Sequence, residues 1–177
     1  MIMNATEVLT IHLARSLGLE RYAEIMQGDP ASSTFQHLFN GYYRVRRNEE
    51  WRQIYYELFQ KAKAEHYGFT QIITELYQST GNVEASFSSK MLATVDPHKP
   101  IWDQYVLHNL GLALTGKTQE EKLGNAIILY DKIDRWYTEY LSSGEGKENI
   151  LIFDRILPDY SWISSVKKID CLLWSKR

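Results

Sequence analysis

Cysteine is almost absent from this 177-residue chain: Cys171 stands alone, which excludes an intramolecular disulfide and leaves too few thiolates for a structural zinc site. With only 4 prolines and 10 glycines, the chain has few obligatory breaks, and long regular segments are expected. No apolar run approaches the roughly 20 residues that a membrane-spanning helix needs. Residues 1–10 lack the basic stretch followed by an apolar one that opens a secretory signal, so a cytoplasmic location is the expectation. Neither sign of charge dominates: 20 basic against 22 acidic residues give −2, so any contact with nucleic-acid phosphate has to come from a local patch. Aromatic residues, by contrast, are plentiful, with 12 Tyr, 5 Trp and 6 Phe. At 44% apolar and 24% charged, the composition is that of an ordinary globule. The length predicts one domain over residues 1–177, able to bury about two thirds of its extended surface.

Hydrophobic spacing is helical almost throughout. Over residues 48–67, Trp51, Ile54, Tyr55, Leu58, Phe59 and Ala62 form a three-and-four stripe, with Asn48 as cap, Glu49 and Glu50 suiting the dipole, and Gly68 as the stop. Further helices are predicted over residues 69–80, 83–95 and 100–110, the last opened by Pro100 at its first position. The longest is expected from 118 to 141, followed by a break at 144–147 and helices at 148–157 and 161–176. Segments 6–17, 19–27 and 35–46 complete an all-α domain of about eight helices.

Several motifs carry potential chemistry. Gly111-Leu-Ala-Leu-Thr-Gly116-Lys117-Thr118 fits the spacing of a phosphate-cradling loop. Such a loop leaves a strand and enters a helix, so that backbone N–H groups face the phosphate. The segment before it here reads as helical, and Leu112 and Leu114 crowd a loop that usually holds small residues. It therefore reads first as an interhelical connection capped by Thr118, with nucleotide binding as a subordinate alternative. His12, His37, His66, His98 and His108 have neither a Glu three residues before them nor another His four away, so no metal site is expected. Cys171 sits in an apolar run and reads as a buried small hydrophobe, and Asp131 with Asp134 as a solvated pair.

Lys90 is the unusual residue. Its helix face carries Ser86, Ala93 and Thr94, small enough for a ligand to approach, and Phe87 and Met91 flank it as apolar walls. Partial burial there disfavours the ammonium and lowers its pKa, the condition for attack on a sugar C1′ and imine formation. Asp103, near the start of the next helix, is placed to meet the positive end of its dipole and to stabilise a developing oxocarbenium centre. The plain alternatives are a lysine that snorkels to solvent and an aspartate that merely caps.

On these residues, Ser89-Lys90-Met91-Leu92, Pro100-Ile101-Trp102-Asp103 and the 106–111 helix end, with a weaker echo in Ile169-Asp170 to Trp174, the chain resembles the helix-hairpin-helix DNA glycosylase superfamily, in particular small bacterial proteins with the 8-oxoguanine DNA glycosylase fold. The likeness covers about a third of the chain. It implies excision of a damaged purine from DNA without a cofactor, with Lys90 as nucleophile and Asp103 assisting departure of the base. Phe87, Trp102, Tyr105 and Trp174 are the implied stacking partners for the flipped base. Where the superfamily hairpin carries Gly-x-Gly, this chain has Gly81-Asn82-Val83-Glu84, and DNA contact falls to Arg44, Arg46, Arg47 and Arg52, interleaved with Tyr42, Tyr43 and Trp51. The alternative from another class is a non-catalytic helical binding module of the same architecture.

Overall fold

The computed structural model describes residues 4–7, 9 and 18–175, and every regular element among them is helical. Most of the helix expected over residues 6–17 lies outside the described residues; positions 5–7 and 9 are helical. Nine bounded α-helices follow: α1 (Leu19–Gln27), α2 (Ser33–Tyr42), α3 (Glu49–Glu65), α4 (Phe69–Thr80), α5 (Ala85–Val95), α6 (Gln104–Leu110), α7 (Gln119–Ser142), α8 (Gly144–Ile156) and α9 (Ser165–Ser175), with a 3-10 turn at Pro158–Tyr160.

Local chemistry sets most boundaries. The Asn48 side chain accepts from the Trp51 N–H at 2.9 Å and starts α3, and the Thr118 hydroxyl accepts from the Glu121 N–H at 3.1 Å and starts α7. Three expectations shift. Helix α3 ends on His66, which takes a left-handed φ of 55°, and Gly68 instead precedes the first residue of α4. Helix α6 begins three residues after Ile101 rather than at Pro100, because the Asp103 carboxylate accepts from the N–H groups of Tyr105 (2.8 Å) and Val106 (2.9 Å) and is itself the cap. The break expected over residues 144–147 shrinks to Ser143. Its hydroxyl donates to the Tyr140 carbonyl at 2.6 Å and accepts from the Gly146 N–H at 3.0 Å, so one residue ends α7 and caps α8.

Helix α3 packs on α4 and α5, α4 on α7, and α7 on α8. An aromatic cluster of Phe35, Phe39, Tyr55, Tyr56 and Phe59 fills the space between α2 and α3, with the Phe35 and Phe59 rings edge to face at 5.5 Å. Helix α9 closes the other side against α6, α7 and α8 and buries nine of its 11 residues, among them Lys167, Lys168 and Asp170. A helix buried on nearly all faces that nonetheless carries three ionisable groups must satisfy each of them. Lys168 pairs with Asp154 at 2.6 Å and donates to the Ser161 carbonyl at 2.9 Å. No helix among the described residues is long and apolar enough to cross a membrane.

Candidate active site around Lys90

Helix α5 delivers Lys90, and the 97–103 link delivers Asp103. The Ser89 hydroxyl accepts from the Trp102 N–H at 2.8 Å and donates to the Ser86 carbonyl at 2.9 Å. A hydrogen bond between residues 89 and 102 ties the link to α5 next to Lys90, and the Asp103 charge acts on the Lys90 amine. The same link is fastened elsewhere: Ser164 donates to the Pro97 carbonyl and Tyr130 to the Pro100 carbonyl at 2.8 Å. Tyr137 also donates to Asp170, through a short bond.

Lys90 is half-buried, with its ammonium 5.2 Å from the Phe87 ring centroid and 5.7 Å from that of Tyr43, and it forms no ion pair among the described residues. Burial lowers its pKa, and the Asp103 carboxylate pulls it partly back up. The aromatic faces offset some of the lost hydration through cation–π attraction, without supplying the proton acceptor that a carboxylate would. The arrangement can hold an amine that gives up its proton more readily than a surface lysine, beside an anion fixed by two backbone N–H groups.

The other expected residues fall in different places. Phe87 is half-buried and is the shared wall of this site, since Lys90 and Arg47 both face its ring and Trp51 packs against it at 5.1 Å. Tyr105 and Trp174 meet edge to face at 6.5 Å, and Trp174 is among the exposed large apolar residues. Trp102 is a core residue at 5% exposure, its backbone rather than its ring serving the site. Arg44 and Arg46 are exposed and Arg52 half-buried, while Arg47 makes a two-oxygen contact with the buried Glu84 carboxylate at 2.7 and 2.8 Å. Arg47 is thereby built into the wall beside Trp51 and Phe87, and the freely presented basic groups are Arg44 and Arg46.

Two clefts, of about 250 and about 440 Å³, open where α5 ends, and both include Val95 and Pro97. Lys90 lies more than a helical turn away from Val95 and lines neither. The residues of the phosphate-loop pattern leave α6 rather than a strand. There the Lys117 N–H is taken up by Glu121 at 2.7 Å and Thr118 caps α7, as expected of an interhelical connection. His37, His66, His98 and His108 are exposed, and no group of three potential metal ligands occurs among the described residues. Asp134 pairs with Lys99 at 2.8 Å, which separates its role from that of exposed Asp131.

A second charged cluster, not anticipated from spacing, lies on α9. The Lys167 ammonium is 4.7 Å from the Tyr22 ring centroid and 5.6 Å from that of Tyr42. Burial opposes its charge, but Tyr42, Tyr43, Cys171 and Asp170 around it outweigh that and hold its pKa well above the usual value. Asp170 is pushed up to about 7 by burial, against the pull of Lys167 and its hydrogen bonds. The available signal was Lys167, Lys168 and Asp170 within four residues, followed by the apolar run Cys171 to Trp174, where a surface helix would place its charges outward.

Cys171 is buried at 5% exposure, and burial raises its thiol to about 11 from 9.0. Two units lower the thiolate fraction ~100-fold at neutral pH. Native protein is therefore expected to react with a thiol reagent such as 5,5′-dithiobis(2-nitrobenzoate) at least that much more slowly than urea-unfolded protein. Equal rates would show an accessible, ordinary thiol.

Comparisons of the chain with protein-family models, with curated proteins and with solved structures find no match.

Proposed function

We propose that this all-α protein excises a damaged purine base from DNA, with Lys90 as the imine-forming nucleophile and Asp103 as its electrostatic partner. The observation that carries the reading is a half-buried lysine between two aromatic faces, with a lowered pKa and one adjoining carboxylate. The resemblance of the 89–92 and 100–103 segments to the helix-hairpin-helix glycosylases supports the same assignment and extends it to the fold. The Lys90 amine attacks C1′ as the bond from C1′ to the base nitrogen breaks. The bonding pair leaves with the base, which takes up one of the two amine protons; the C1′–O4′ bond then breaks, O4′ keeps that pair and takes up the other proton as a hydroxyl, and the nitrogen lone pair completes the imine to C1′. Asp103, held by the Tyr105 and Val106 amides, offsets positive charge developing at C1′. Phe87, Tyr105 and Trp174 offer aromatic surface for the extrahelical base, and Arg44 and Arg46 offer phosphate contacts.

Incubation with abasic-site DNA and borohydride is expected to trap a covalent complex that Lys90→Gln abolishes and Asp103→Asn reduces by about 100- to 1000-fold, the range for losing one preorganised electrostatic group. A folded wild-type protein giving no adduct and no salt-sensitive DNA binding would instead identify a non-catalytic helical binding module.

A further inference from the structure

We propose that the smaller cleft where α5 ends, of about 250 Å³, binds a small aromatic carboxylic acid, with the ring among Ile25, Phe35 and Phe59 and the carboxylate paired with Lys63. The cleft is separate from Lys90, and the inference stands independently of the excision chemistry.

Four helices meet at this cleft: α1 contributes Ile25, α2 Phe35, α3 Phe59 and Lys63, and the end of α5 Val95. Ile25, Phe35 and Phe59 are buried, and the two phenyl rings meet edge to face at 5.5 Å. An apolar guest seated against them adds dispersion contacts to side chains that already exclude water. A space of about 150 Å³ lined by such residues accommodates benzene, so about 250 Å³ takes one ring with a short side chain. An aromatic guest gains further, because it extends the edge-to-face geometry that Phe35 and Phe59 already use. The turn after α1 fits closely against this wall: a β-carbon on Gly28 would lie 2.6 Å from the Phe35 Cδ2.

Charge selects the guest's polar end. Among the described residues, Lys63 is the one charged side chain that lines the cleft. Its ammonium donates to the carbonyl of Gly28, also a lining residue, at 3.3 Å, and it forms no ion pair among the described residues. One long bond to a carbonyl occupies one of three N–H donors, and the other two are left for an anion. The neighbouring cleft of about 440 Å³ has the opposite character: Asp96, Asp131 and Asp134 line it, and Lys99 is tied to Asp134 at 2.8 Å. Its excess of carboxylates repels an anion, so two clefts that share Val95 and Pro97 accept guests of opposite sign. A carboxylate carried deep among the phenyl rings would lose its hydration without a partner. At the mouth, beside exposed Lys63, it keeps both water and a cation while the ring enters.

The test titrates the full chain, labelled at its methionine methyl groups, with 3-phenylpropionate and follows binding by NMR. A dissociation constant of roughly 0.1–1 mM is expected for a ligand of this size. The probe's ring should give a nuclear Overhauser effect to the methyl of Met26, which lines the cleft, and none to that of Met91, which is fully buried and does not. Lys63→Met, at an exposed position, is expected to weaken the acid about 5- to 10-fold, between the loss of an exposed ion pair and that of a charged hydrogen bond. Lys63→Arg should retain the affinity, and 3-phenylpropan-1-ol, the neutral counterpart, should bind wild type and Lys63→Met alike. Propionate, which lacks the ring, should bind at least about 10-fold more weakly than the phenyl acid. No saturable binding, no contact with Met26, or equal affinity of wild type and Lys63→Met for the acid overturns the proposal.

Discussion

Gly146→Ala is expected to destabilise the protein by about 1–3 kcal/mol. A β-carbon at this position would lie 2.0 Å from the Tyr140 carbonyl oxygen, 2.8 Å from its carbon and 3.2 Å from the Leu141 Cα. All three are backbone atoms, so no flexible side chain can swing aside. The end of α7 and the start of α8 must separate, and the Ser143 hydroxyl then loses its bonds to Tyr140 and Gly146. Overpacking costs about 1–3 kcal/mol and loss of a cap about 1 more, whereas the helix preference for alanine over glycine returns only about 1. Gly144 is the control. It begins the same helix with nothing within 4 Å of the added atom, and Gly144→Ala is expected to leave stability unchanged or raise it slightly. Urea unfolding of the two variants settles the matter, and equal midpoints would show that the α7–α8 corner yields without cost.

The second large effect concerns pH. Asp170 has a folded pKa of about 7 against an ordinary value of 3.8. Between those values the native state holds a proton that the unfolded chain has released, so stability falls as pH rises from about 4 to about 7. Three units correspond to at most about 4 kcal/mol, an upper figure because Lys167 shares the burial cost. Asp170→Asn carries no such proton. Its stability relative to wild type is expected to increase steadily across this window and to level off above pH 8. Lys167, with its folded pKa raised, contributes stability that is present at these pH values and lost only under strongly alkaline conditions. Lys90 acts in the opposite sense, since its lowered pKa imposes a cost below the folded value that disappears toward pH 10.5. Urea unfolding at pH 4.5, 6, 7 and 8 for both proteins isolates the Asp170 contribution as the difference; parallel curves would show that the carboxyl titrates as it does in water.

Helices α1, α3, α4 and α7 were legible because each has both a continuous apolar stripe and a chemical start or stop, such as Asn48, Gly81 or Thr118. Errors arose where a tertiary hydrogen bond overrode a local signal. Pro100 is well suited to open a helix, yet Tyr130 holds its carbonyl and Ser89 the following Trp102 amide, so the backbone stays extended until Asp103 can cap. Two glycines near position 144 suggested a loop, whereas Gly146 is required inside a tightly joined helix. Within the candidate site, Lys90 and Asp103 stood out as charges among small and apolar neighbours. Tyr43, Ser89, Tyr137 and Asp170 did not, because their roles depend on partners 13 to 33 residues or more away in the chain. The Arg47–Glu84 contact was hidden for the same reason: Glu84 lies 37 positions on and looks, in sequence, like one more solvated acid.

The burial of α9 has a consequence for how the protein is made. The partners of this helix, from Tyr22 through the Pro97 backbone to Tyr137, are all translated before it. While the nascent chain is still growing, those groups wait with neither a cation nor a carboxylate to receive them. Final closure must follow emergence of residues 164–175 from the ribosome exit tunnel, and a stall upstream would release a chain with its aromatic face uncovered and open to aggregation.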